Sequence, residues 1–144
     1  MARDKNLVVS LEQVYSKSPS LPVSIRELIV VIAPWLALVL GVVGVFGSLA
    51  AFGITSFLSP FIALGAGLGM SGGYVLVSVL GIVQSVLMLF AFSSLLKRKY
   101  AGWYLIFWSE FLSVISAVIL FSLSGIIVAL IGFYFLFQIK EYYK

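Results

Sequence analysis

The chain has 144 residues, 62% of them hydrophobic and 10% charged, with a mean hydropathy of +1.21 and a net charge of +4. Soluble domains carry about 25% charged residues, so there is too little polar surface here to solvate a globule, and lipid is the expected solvent. Cys and His are both absent, which excludes disulfides, thiol nucleophiles, Cys/His metal sites and imidazole bases.

Residues 1–23 are polar enough to stay outside a bilayer core and form a cytoplasmic or interfacial segment. Ser10 and Gln13 have the spacing of a capping box, which places a helix start there. Leu7, Leu11, Val14 and Tyr15 share one face at helical spacing, opposite Asn6, Glu12, Gln13 and Lys17. That pattern fits a short helix lying in the membrane interface. Pro19 and Pro22 then break the chain.

Residues 24–144 form the expected transmembrane domain, with four spans at about 25–52, 74–96, 101–121 and 124–139. The first opens on a second capping box, Ser24 to Glu27, and carries a kink-prone Pro34. Ala33, Ala37, Gly41, Gly44, Gly47, Ser48 and Ala51 fall in one sector of it, a small-residue stripe for helix packing in which Ala37, Gly41, Gly44 and Ser48 are central. Residues 53–73 carry no charge but six glycines and Ser59-Pro60, which argue against one continuous helix. A segment lying at the interface, or dipping back into the protein, is expected there. Gly67 to Gly72 matches G-x-G-x-x-G, but no strand precedes it, so it reads as a flexible turn and not a nucleotide site.

The second span places Gly81, Gln84, Ser85, Met88 and Ala91 on one face. On the third, Gly102, Ile106, Ser109, Glu110, Ser113, Ser116 and Ala117 lie together. The opposite side, with Tyr104, Phe107, Trp108 and Phe111, is expected to face lipid. Ser122 to Gly125 makes a tight hairpin, and the fourth span has a narrow stripe of Gly125, Ala129 and Gly132. The fold class that results is an all-α membrane protein. It is a four-helix, up-down-up-down transmembrane bundle with a short N-terminal interfacial helix.

All nine Lys and Arg fall in the N-terminal segment or just after it at Arg26, at Lys97–Lys99 or in the C-terminal tail. The positive-inside rule then places both termini and the middle loop in the cytoplasm, for a multi-pass protein of a prokaryotic inner membrane. Lys97, Arg98 and Lys99 are the expected contacts for anionic lipid head groups. Because the basic residues sit at segment ends, they serve topology, and no nucleic-acid partner is expected.

Glu110 is the one acid deep in an apolar segment. It lies eleven residues past Lys99, and Gln84 lies thirteen before Lys97, so the two share a depth on adjacent helices. A charge at mid-bilayer costs about 2.5–3.5 kcal/mol even on insertion scales. One reading is a proton- or cation-coupled site built from Glu110, Gln84, Ser109, Ser113 and Ser85. The preferred one is a Glu110 that hydrogen-bonds Gln84 or a serine and ties two helices together. There is no catalytic dyad, no Ser/Lys pair within the membrane and no metal-ligand cluster, so neither an enzyme nor a bound cofactor or metal is expected.

At IAPWLALVLG, KRKYAGWYLIFWSE and GFYFLFQIKEYYK the chain resembles a group of short four-span bacterial membrane proteins from reduced-genome lineages. That resemblance covers nearly the whole chain and implies a four-span fold without implying an activity. The expected function is a non-enzymatic scaffold or accessory subunit with a membrane-protein partner. The alternative is a small homo-oligomeric transporter or channel using Glu110. In this Cys-free chain, single cysteines at Lys99 and in the 53–73 connection should label from opposite sides of the membrane in intact cells. Labelling of the connection only from the cytoplasm overturns the orientation.

Overall fold

The computed structural model describes residues 2–17 and 19–144, with the side chains of all of them except 2–6, 66, 68 and 70. They fold into helices α1 (Ala2–Tyr15), α2 (Val23–Ala66), α3 (Leu68–Leu96), α4 (Tyr100–Ile119) and α5 (Leu123–Gln138), then a short 3-10 turn at Lys140–Tyr142. No strand occurs among the described residues. Three helices are long and apolar enough to cross a membrane: α2, α3 and α4. With 16 residues, α5 is apolar but shorter than a usual span.

Neither capping box forms. The first helix already runs from Ala2, so Ser10 lies in its interior. Val8 is buried and Leu11 and Tyr15 are half-buried beside it, while Leu7 and Val14 are exposed. Apolar residues occupy two adjoining stripes, and docking against α5 selects the one that brings Tyr15 onto Phe137, with ring centroids 5.4 Å apart. At α2 the cap position belongs to Pro22, whose carbonyl accepts from Ile25 and Arg26 at 3.0 and 3.1 Å, and no side chain caps the helix.

The largest departure from expectation is the 53–73 stretch. It is no re-entrant connection, because α2 continues through Gly53, Pro60 and Gly65 to Ala66, a helix of 44 residues. Helical glycine costs about 1 kcal/mol against alanine, whereas each unpaired backbone group in hydrocarbon costs several. In an uncharged segment the second term wins, and the helix persists. One residue breaks it. Gly67, at φ +90°, reverses the chain directly into α3, with its N–H bonded to the Ala63 carbonyl at 3.1 Å. Gly69 and Gly72 of the glycine motif are helical residues of α3.

At 1.5 Å per residue α2 is about 66 Å long, roughly twice a hydrocarbon core. The small-residue stripe lies where α2 meets α3, the most extensive helix interface. A side chain at Gly41 would strike Leu89, one at Gly44 would strike Ser85, and one at Gly81 would strike Ser48. These pairs run in opposite senses along the two helices, which are antiparallel. Gly47, from the same stripe, faces open space.

The next interface is tighter still. At Gly102 of α4 a Cβ would sit 2.6 Å from the Leu95 backbone nitrogen and 2.9 Å from the Ser94 carbonyl carbon. This approach follows a three-residue turn with Arg98 at φ 50°. The C-terminus closes onto that turn: Tyr100 N–H donates to the Lys144 carbonyl at 2.9 Å, and Lys144 N–H to the Arg98 carbonyl at 3.1 Å. Beside it, Tyr143 is buried with its hydroxyl unpartnered. Burial pushes that hydroxyl's pKa up, partly countered by Arg98.

Phe107 does not face outward. It is 2% exposed and packs on Phe133 and Phe137 of α5, at 5.5 and 6.1 Å between centroids. The sequence pattern treats the aromatic side of α4 as lipid-facing, but α5 packs on part of that side and covers Phe107, while Tyr104, Trp108 and Phe111 are half-buried and Val118 stays exposed. Trp103, fully buried, ties α4 to α5 by donating from Nε1 to the Leu136 carbonyl at 2.8 Å.

Two glycine substitutions separate packing from propensity. Gly102→Ala forces backbone apart and should cost about 1–3 kcal/mol, as overpacking does. Gly47→Ala meets nothing and should be neutral or stabilising by up to about 1 kcal/mol. Thermal unfolding in detergent measures both, and equal effects would show that the α3–α4 contact is not tight.

Candidate functional site

Glu110, Ser113 and Ala117 recur at helical spacing on α4, so a single surface strip carries them. The five residues expected to act together divide between neighbours. Gln84 of α3 donates from Nε2 to Ser113 Oγ at 3.1 Å, and Ser109 Oγ reaches the Gln84 carbonyl at 3.5 Å. Ser85 belongs to another seam: it donates to the Gly81 carbonyl of its own helix at 2.7 Å and lies against Gly44. Glu110 turns the other way, towards α5. Its carboxylate occupies the space where a side chain at Gly132 would stand.

Gln84 is therefore bonded to Ser113 and not to Glu110. Among the described residues no hydrogen bond or ion pair closes on the Glu110 carboxylate. It opens instead on a groove of about 460 Å³ between α4 and α5, lined by Ser113, Ser116, Ser122, Ser124 and Val128 among others, a volume within the range of about 300–1,000 Å³ usual for ligand clefts. Ser116 Oγ is buried there without a partner. Ser122 and Ser124 bond each other at 3.2 Å at the α4–α5 turn, where Ser122 also caps α5 by accepting from Gly125 N–H at 3.1 Å.

Towards the end of the molecule that carries the basic residues, α4 and α5 are packed by aromatic rings. Trp103, Phe107 and Phe133 are all buried and stack with Phe137 into one aromatic block. Tyr15 of α1 completes it, donating to the Leu130 carbonyl at 3.2 Å. Burial, and then the negative charge of Glu110, push the Tyr15 hydroxyl's pKa up. The docking of α1 on α5 is what brings Tyr15 to this end of the site, and no local pattern identifies it. Glu12 holds α1 in place through an ion pair with Lys140, whose ammonium also lies 5.7 Å from the Trp103 ring centroid.

Lys97, Arg98 and Lys99 form the exposed α3–α4 turn, at the same end as the C-terminus. Of the residues outside the expected site, Ser116 was legible as part of the polar face of α4. Ser122, Ser124 and Gly132 were not, because their role depends on α5 folding back on α4. The Gly125, Ala129 and Gly132 stripe was the one available signal, and it marks the side of α5 turned to α4. No group of three metal-ligating side chains gathers among the described residues. No family model, no curated protein and no solved structure matches the chain.

The contact between Glu110 and Gly132 is open to a double-mutant cycle. Gly132→Ala should destabilise by about 1–3 kcal/mol in the native background, because the new methyl displaces the carboxylate. The same change in a Glu110→Ala background should cost at least about 0.5 kcal/mol less, the lower end of coupling between touching residues. Additive effects in detergent unfolding would show that the two do not meet.

Proposed function

We propose that this chain is a small four-span membrane protein of a prokaryotic inner membrane whose working group is Glu110. In this reading it is a non-enzymatic transporter or channel in which that carboxylate binds a proton or cation. The observation that carries it is the direction of the side chain. An acid serving only as a helix tie would hydrogen-bond across an interface, and the tie between α3 and α4 is made by Gln84 and Ser113 instead. Glu110 carries the full cost of its depth, about 2.5–3.5 kcal/mol on insertion scales, with no protein partner to offset it. A proton, water or a bound cation in the groove offsets that cost.

In this topology both termini and Lys97–Lys99 face the cytoplasm, with basic side chains near anionic head groups, each contributing about 1 kcal/mol. The fourth span, α5, rises only about 24 Å. Its outer turn therefore lies below the opposite surface, and the local mismatch is met by bilayer thinning or water. The α1 helix rests on the cytoplasmic side, against α5.

A scaffold or accessory role remains the second reading, favoured by the α2–α3 hairpin. α3 has 29 residues against 20 in α4, so the hairpin runs about 13 Å past the α4–α5 turn. Phe57, Phe61 and Leu64 are exposed on it, an apolar surface for a membrane-protein partner or a second copy of the chain.

Proteoliposomes carrying the purified protein should show proton, sodium or potassium flux above protein-free vesicles. Glu110→Gln keeps the shape of the side chain and should abolish the flux while leaving detergent stability within about 1 kcal/mol, the worth of one ordinary hydrogen bond. Wild-type protein with no flux and no cation binding returns the scaffold reading to first place.

A further inference from the structure

We infer that the groove takes a small organic monocation, a primary or secondary ammonium that enters head first and pairs with Glu110. This rests on the reading of Glu110 as a cation site and adds the ligand class. Size is the first argument. At about 460 Å³ the space is many times the roughly 30 Å³ share of one water, so it is no cage for a bare ion, yet it suits an organic molecule.

Charge is the second. Glu110 is the one ionisable side chain among the groove residues, and no cluster of metal ligands accompanies it. One positive charge leaves the pair neutral at depth, where an uncompensated charge is heavily penalised. A divalent cation would leave a full positive charge and find too few oxygens, since calcium takes about six to eight.

Hydrogen bonding is the third. Both carboxylate oxygens are without a protein donor, and Ser116 Oγ is buried and unpartnered in the same groove. Those acceptors call for N–H donors, which a quaternary ammonium lacks. Ser113 accepts from Gln84 on one lone pair and retains a second with which to accept from the ligand.

The fourth argument is polarity along the groove. The carboxylate stands near the aromatic block, the serines line the way to the α4–α5 turn, and Leu120, Val128 and Ala129 supply apolar wall. The charged head therefore goes in first and the body follows towards the turn. A lipid-like amphiphile would place its head at the mouth and so runs the wrong way. From Glu110 to Leu120 the helix rises about 15 Å, which bounds the length of the ligand.

The test uses the full chain in phosphatidylcholine nanodiscs, with calorimetric titration of 2-phenylethylammonium and with ammonium, sodium and tetramethylammonium as comparisons. Saturable binding of 2-phenylethylammonium is expected, weakened at least tenfold by Glu110→Gln and about three- to tenfold by Ser116→Ala, as for one lost hydrogen bond. Tetramethylammonium should compete poorly. Equal competition by tetramethylammonium, or binding unchanged in both variants, overturns the inference. Glu110-dependent sodium binding or proton flux without amine binding overturns the ligand class alone and leaves the cation site standing. No Glu110-dependent event of any kind removes both. If Glu110→Gln fails to fold, Ser116→Ala decides, and unchanged amine affinity in that variant counts against the inference.

Discussion

The rest of this structure depends on one constraint, the cost of an unpaired peptide group in hydrocarbon. From Leu28 to Leu96 the chain carries no charged side chain, so nothing anchors it to water, and every N–H and C=O must find a partner within the protein. The α-helix supplies those partners locally. This is why six glycines and a proline do not open a loop between residues 53 and 73, and why a single positive-φ glycine is the only reversal. The length of α2 follows from that balance, and so does the unequal reach of the two hairpins.

Once the segments are helical, hydrophobicity no longer drives them together, because lipid tails are as apolar as leucine. Close approach has to do it. The glycine and serine pairs between α2 and α3, and Gly102 against the Leu95 backbone, bring helix surfaces within contact distance where dispersion acts. At the basic end a different device takes over. Trp103 and its aromatic neighbours, the Lys144 backbone pairing and the Glu12–Lys140 ion pair knit α1, the turn after α3 and the C-terminus into one polar and aromatic cap.

Glu110 stands out because the polar groups turned to the α3 side of α4 are satisfied within the protein. Ser85 bonds back to its own helix, and Gln84 and Ser113 bond each other. The carboxylate is directed at the groove, with Gly132 leaving room for it and the Ser116 hydroxyl nearby without a partner. The aromatic block packs α4 against α5 next to the site, and Tyr15 of α1 adds to it.

Composition and charge position are properties of the sequence alone, and they determined that lipid is the solvent, that helices are the backbone state, and that the basic groups collect at one end. The matching level of Gln84 and the Ser109–Ser113 stretch on neighbouring helices, and the stripe through Gly41 and Gly44, were legible for the same reason: helical periodicity is local. The continuation of α2 was not, because residue propensities near 1 kcal/mol are overridden by backbone satisfaction in lipid. Nor was the burial of Phe107 or the parting of Glu110 from Gln84. Periodicity tells which residues share a face of α4, but which helix covers that face depends on how α3 and α5 pack around it, and only the tertiary structure decides that.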